Sequence, residues 1–343
     1  MKKKCKLIII LYIILAIIFM NNSFETIDVS STHFREVGIL GINVGLKMYT
    51  NGVLVVGMSE IENKDGYRVK PFENSGIKEG DMIKEINNTP IVNTNQLIEL
   101  VNNAGESEIK IKYQRGMDEF FYTSIIPVKS SNDQYMLGLW VRDAAAGLGT
   151  LTYYNPETMR FAALGHGIND IDTGDLLNIL NGEIITSNII SIVKGKSGRP
   201  GEIRGIIDNG INVGDIDKNT DLGVFGTIKN IEYIKEKELL KVPVANRNEI
   251  KTGKATIYCQ ISNEEVSQFD IEIKKIYKYN RSNNKSMFIK IKDKNLLEKT
   301  GGIIPGMSGT PIVQDGKFIG AITNVLLNDP TQGYAIFADM MME

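Results

Sequence analysis

Pro305-Gly306-Met307-Ser308-Gly309-Thr310-Pro311-Ile312-Val313, followed by a turn at Asp315-Gly316 and then Phe318-Ile319-Gly320-Ala321-Ile322-Thr323, is the stretch whose reading decides this chain. A serine hydroxyl is a poor nucleophile at neutral pH and needs an adjacent imidazole to take its proton. The chain has two histidines. His33 is read as a solvated residue, whereas His166 stands between Gly165 and Gly167 at the end of the short apolar run Phe161-Ala-Ala-Leu164. Glycines on both sides of Ser308 let the backbone turn so that the N–H groups of Gly306 and Ser308 converge on a developing oxyanion. The Gly-x-Ser-x-Gly elbow of α/β-hydrolases is not matched, because Thr310 stands where the second glycine would be and no strand–helix alternation surrounds it. A third group must orient the imidazole. Nine aspartates lie between His166 and Ser308, among them Asp170, Asp172, Asp175, Asp208, Asp270 and Asp293, and spacing does not choose among them.

Outward from this stretch, residues 133–343 read as short strands and Gly-rich turns: Leu137–Val141, Gly149–Tyr154, Glu183–Thr186, Ile189–Val193 and Phe269–Ile273. Such a succession predicts a sandwich or a pair of small barrels. A length of 343 residues predicts about two domains. Hydrophobic residues at 42% and charged residues at 23% are globular values, and a net charge of -2 gives no global field for nucleic acid. Two cysteines, Cys5 and Cys259, exclude a disulfide framework, and two histidines leave few ligands for a zinc site. No metal and no cofactor is expected. Cys259 reads as a small buried side chain in a strand.

The amino terminus, Met1-Lys2-Lys3-Lys4-Cys5-Lys6, runs into fourteen charge-free apolar residues, Leu7–Met20. As a helix that run spans about 21 Å, short of the hydrocarbon core, so residues 1–24 read as an export signal or a marginal membrane anchor helix, both open, with the rest of the chain facing outward. Residues 25–37 read as a linker. From 38 to 128 the pattern is strands such as Gly52–Val56 and Glu108–Tyr113, with one helix at Thr94–Val101 behind a threonine able to cap it. Asn74-Ser75-Gly76-Ile77-Lys78-Glu79-Gly80-Asp81-Met82-Ile83-Lys84-Glu85-Ile86-Asn87-Asn88 resembles the central signature of PDZ domains. That resemblance implies binding of an extended peptide at a sheet edge, with a carboxylate-receiving loop near Gly45, Leu46 and Lys47.

Gly306–Pro311 with its following hairpin resembles the nucleophile region of chymotrypsin-like serine peptidases, which implies a double β-barrel. The fold expected is therefore mainly β: a PDZ domain (38–128) followed by a chymotrypsin-like peptidase domain (133–343). Gly138–Gly147, Gly165–Ile168, Leu296–Gly309 and Asn328–Tyr334 together look like the stage IV sporulation protein B peptidase family. The resemblance implies a sporulation serine endopeptidase with Asp293 as the acid beside His166 and Ser308. It further implies location between the two membranes of the forespore and self-cleavage near the amino terminus. The implied partner is a membrane-bound regulator, whose cleavage leads to activation of a late mother-cell sigma factor. The rival reading is a PDZ peptide-binding protein whose protease-like domain is catalytically inactive.

Overall fold

The computed structural model describes residues 36–116, 119–207, 210–279 and 283–342. The expected leader (1–24), the linker as far as residue 35, and Asp208 lie outside the described residues. Among the described residues no helix is long and apolar enough to cross a membrane.

The first strand, β1 (Val37–Met58), has 22 residues, several times an ordinary strand. Every residue from Val37 to Leu46 is buried, the pattern of a strand covered on both faces. At Asn51-Gly52 its pairing breaks. Gly52 has φ +121°, and a Cβ there would lie 2.6 Å from the Ile83 carbonyl oxygen, so glycine permits both the bend and the close approach. The strand thereby serves two cores, Ile42, Val44, Leu46 and Met48 entering one and Val53 and Val55 the other.

The second core belongs to a small domain. Here β1 pairs antiparallel with β2 (Met82–Ile86), which pairs with β3 (Ile109–Arg115), which pairs with β4 (Glu119–Ile125). Helix α1 (Thr94–Ala104) presents Leu97 and Val101 to Val53, Ile83, Ile86 and Ile111. Its cap is Asn93, whose side chain accepts from the Gln96 N–H; Thr94, expected in that role, is the first helical residue. Asparagine is the stronger cap of the two. The Asn87-Asn88 turn is tight as expected, with φ +49° and +67°.

A second long strand, β5 (Leu139–Tyr154), repeats the double use: Leu139–Arg142 lies opposite Leu54–Met58, and Ala144–Tyr154 opposite Gly38–Tyr49. With β6 (Arg160–Ala163), β7 (Ile179–Thr186), β8 (Asn212–Thr220) and β9 (Gly223–Ile228), the antiparallel pairings close a ring in the order β1-β5-β6-β9-β8-β7 and back to β1. The short helix α2 (Ile231–Lys237) leads to a second closed barrel of β10 (Gly253–Cys259), β11 (Ser267–Ile276), β12 (Met287–Ile291), β13 (Pro311–Gln314), β14 (Lys317–Leu326) and β15 (Asp329–Phe337). Helix α3 (Lys294–Thr300) lies between β12 and β13 in sequence. The hairpin expected at Asp315-Gly316 joins β13 to β14, with φ +50° and +74°.

This hydrogen bonding corrects the domain limits. The first half of β1, placed at the start of a PDZ domain by its position in the sequence, closes the first barrel instead. Tyr135–Arg142, placed in the peptidase domain, completes the small domain, with Leu137 in its core. Gly45, Leu46 and Lys47 are likewise not a ligand loop. They sit mid-strand between β5 and β7, where ladder partners on both sides flank their backbone. Two strands run on where a linear reading expects boundaries, because a bulge rather than a turn separates their halves.

Candidate active site

Ser308 lies in the loop between α3 and β13, held from both barrels. Thr150 of β5 is fully buried; its N–H donates to the Ser308 carbonyl at 3.1 Å and its hydroxyl to the Gly306 carbonyl at 2.9 Å. From the second barrel, the Ile322 carbonyl of β14 accepts the Gly309 N–H at 2.8 Å. Gly309 has φ +92°, and a Cβ there would stand 2.4 Å from the Thr150 carbonyl oxygen and 2.5 Å from the Leu164 nitrogen. Gly306 has φ +101°. The N–H groups of Gly306 and Ser308 donate no hydrogen bond among the described residues, while the Met307 and Thr310 N–H groups are consumed within the loop by Ile304 and Met307 carbonyls. Two adjacent-but-one donors thus stand uncommitted beside the serine, as an oxyanion site requires.

His166 follows β6, where Leu164 and Gly165 both take φ +69°. A Cβ on Gly165 would press at 3.0 Å on Ile336 and Thr323 of the second barrel; one on Gly167 would meet the Thr220 carbonyl at 2.7 Å. The two flanking glycines are therefore needed for the loop to pass between packed strands. Just beyond, Asn219 of β8 fastens the loop: its carbonyl oxygen accepts the Ile168 N–H at 2.8 Å, and its amide donates to the Ile168 and Leu177 carbonyls at 2.8 and 2.9 Å.

His166 and Ser308 line one cavity of about 420 Å³. Its wall is largely aliphatic, including Leu46, Leu148, Ile168, Ile304 and Val325, and among its lining residues His166 alone is titratable. The His166 Nδ1 lies 2.7 Å from the Gly167 carbonyl oxygen. A carbonyl only accepts, so Nδ1 is the donor in that contact, an arrangement that in the neutral ring leaves Nε2 as the acceptor a general base needs. The Ser308 hydroxyl donates to the Thr323 carbonyl at 2.9 Å. No hydrogen bond joins the serine to the imidazole among the described residues.

Asp293 stands elsewhere. It is the N-cap of α3: its carboxylate accepts the Leu296 N–H at 2.9 Å and its own N–H donates to the Asp270 carbonyl. Among the described residues it has no hydrogen bond to His166, and it does not line the cavity. The aspartate that the resemblance implied beside the imidazole is thus a helix cap on the second barrel, and the Gly167 carbonyl occupies the Nδ1 side. Asp170 is also not that partner. Its buried carboxylate takes Arg142 and the N–H groups of Asp172 and Thr173. Burial alone would push its carboxyl up, but those two N–H groups and the guanidinium outweigh it and hold it below the usual range. Sequence reasoning missed Thr150 and Asn219, which no motif marks. A threonine and an asparagine among strand residues carry no signal until the chain brings them to the two loops.

A serine and an imidazole on one cavity, between two barrels, are the pairing that serine peptidases use as a class. The SpoIVB peptidase S55 family model matches residues 133–342, and the chain belongs to that family; it is a serine peptidase. No curated protein matches the chain. Among solved structures, the Rv3671c protease of Mycobacterium tuberculosis in its active form is similar at 12% identity over 58% of this chain and 71% of that one, with a TM-score of 0.30. An inactive mutant form of Rv3671c matches at 11% identity over 57% and 77%, with a TM-score of 0.29. The PDZ domain of the SdrC-like protein Lmo2051 of Listeria monocytogenes matches at 20% identity over 26% of this chain and 87% of that one, with a TM-score of 0.21.

Proposed function

We propose that this serine peptidase is an exported sporulation endopeptidase that cleaves its own amino-terminal region and then a membrane-bound regulator. That second cut leads to activation of a late mother-cell sigma factor. The family assignment and the basic-then-apolar leader support the reading, and the small domain supplies a sheet for holding extended peptide. The observation that carries the catalytic part is the shared cavity of His166 and Ser308, with two uncommitted N–H groups beside the serine.

In the reaction, the Ser308 hydroxyl turns from the Thr323 carbonyl to His166 Nε2 when substrate fills the cavity; such contacts commonly tighten only in the substrate complex. Nε2 takes the proton as Oγ attacks the scissile carbonyl. The Gly306 and Ser308 N–H groups hold the oxyanion, and the imidazolium returns its proton to the leaving amine. Water then repeats the sequence to free the acyl group. The Gly167 carbonyl keeps Nδ1 protonated throughout. The aliphatic cavity favours an uncharged aliphatic side chain next to the cut, since a buried lysine or arginine head would find no carboxylate there.

The test is expression of the full chain as wild type and as Ser308→Ala, with mass mapping of the amino-terminal fragments. Self-processing lost in the alanine variant supports the reading; identical fragments from both chains reject it in favour of a peptide-binding protein. Following processing of the regulator in a deletion strain tests the pathway.

A further inference from the structure

Gly138–Gly147 has no role in the chemistry described so far, although it is one of the chain's family-like motifs. The structure makes it a single strand with three duties in a row. Leu139–Arg142 is the edge of the small domain, paired to Leu54–Met58. Beside it the Thr94 N–H at the start of α1 donates to the Asp143 carboxylate at 2.6 Å, and the Tyr135 N–H reaches the Asn102 side chain at 2.9 Å. Ala145–Leu148 forms part of the wall of the cavity that holds His166 and Ser308. Thr150, two residues on, ties down the Ser308 loop.

Arg142 stands between the first duty and the second. Its guanidinium forks: Nη1 meets Asp170 Oδ2 at 2.7 Å and Nη2 meets Asp172 Oδ2 at 2.6 Å. The Asp170 side chain is 1% exposed, whereas that of Asp172 is 44% exposed. The other oxygen of Asp170 accepts the Asp172 and Thr173 N–H groups at 3.0 Å each, and the Asp170 N–H and the Asp175 carbonyl close the turn at 2.9 Å. This is the loop that begins at His166. Asn219 fastens its base at Ile168 and Leu177, and Arg142 fastens the turn between them, at Asp170 and Asp172, to a strand of the small domain. One arm of the fork meets a buried carboxylate whose other oxygen is already held by two N–H groups, which fixes geometry in a way that the exposed pair to Asp172 does not.

We infer that Arg142 is a positioning residue for His166, holding the catalytic loop in register with the strand that walls the cavity. The inference rests on the peptidase reading above. It does not place Arg142 in contact with substrate. It also explains why the small domain precedes the peptidase without a free linker: the strand that completes one is the strand that aligns the other.

The experiment uses the full chain. Arg142→Gln is expected to lower kcat for cleavage of an aliphatic peptide about 10- to 100-fold with KM little changed, the cost of a misplaced but intact catalytic group. Arg142→Lys, which keeps one ion pair, should recover part of that loss. Asp170→Asn should resemble Arg142→Gln, the pair should be non-additive, and Asp172→Asn should cost less. An unchanged kcat, or a loss wholly accounted for by a lower unfolding midpoint, overturns the inference. A second measurement needs no activity: in the Ser308→Ala background, hydrogen exchange at Asp172 and Thr173 should accelerate in Arg142→Gln, and equal rates likewise overturn the inference. If wild type and Ser308→Ala are equally inactive while exchange responds as expected, the peptidase reading fails and the tie from Arg142 to the Asp170 turn stands.

Discussion

Asp293→Asn separates the two roles open to that residue. In the structure its carboxylate caps α3 with one bond of 2.9 Å to the Leu296 N–H. Asparagine caps a helix about as well as aspartate, so the change should alter stability by no more than about 0.5 kcal/mol. Asp293→Ala removes the acceptor and should cost roughly 0.5 to 2 kcal/mol. Neither change touches the Nδ1 proton, which the Gly167 carbonyl holds at 2.7 Å. The turnover of Asp293→Asn should therefore stay within a few-fold of wild type. A triad aspartate behaves differently: converting it to asparagine forces the wrong tautomer and lowers kcat by about 10⁴. The assay pairs urea unfolding with kcat on an aliphatic peptide. A fall of a thousandfold or more in a chain of unchanged stability would refute the cap assignment, and would mean that the acid leaves the helix to reach the imidazole during catalysis.

Four further outcomes follow from the geometry. Asn219→Ala removes three hydrogen bonds at the His166 loop; at about 0.5 to 1.5 kcal/mol each it should cost roughly 1.5 to 4.5 kcal/mol in urea titration, and a loss below about 0.5 would contradict the role given to it. Gly309→Ala should be more damaging, since φ +92° and a 2.4 Å approach to the Thr150 carbonyl combine; strain and overpacking of about 1 to 3 kcal/mol each predict poor soluble yield or a sharply lowered midpoint. Cys259 is fully buried and its thiol is pushed up to about 11 by that burial, the Thr310 side chain opposing weakly; mass-mapped alkylation should miss it in the native chain and find it in denaturant. Because the Asp170 carboxyl is depressed in the folded state, its contribution is complete above the unfolded value near ~3.9 and is lost as pH falls through the folded value. The stability gap between wild type and Asp170→Asn should thus be level from about pH 5 to 7 and shrink below about pH 4, as paired urea titrations would show.

Much of the architecture was legible because strands and turns write themselves locally. Glu108–Tyr113 alternates and all but its first residue falls in β3; Asn87-Asn88 and Asp315-Gly316 are turn-forming pairs and take φ above zero. The glycines around His166 and Ser308 announced backbone that must pass close to other backbone, and it does. Partner choice was not legible. Val44–Lys47 looks like any strand or loop near a PDZ signature, and only the pairing with β5 and β7 reveals it as barrel wall. Asp293 was assigned by resemblance to a motif fifteen residues before the serine; the local Asp-Lys-Asn-Leu-Leu run is also a good helix start, and in the structure that local propensity is what its carboxylate satisfies.

The amino-acid order alone determined the chemistry available: a histidine between glycines, a serine with glycines on both sides, and a β-forming chain long enough to bring them together. Only the tertiary structure decided which groups meet. Contacts between residues far apart in the sequence select Thr150 to hold the serine loop, 156 positions from its Gly306 partner, and set Arg142 against Asp170. The short-range pattern of a strand records which residues face a core and leaves its neighbour in the sheet unspecified.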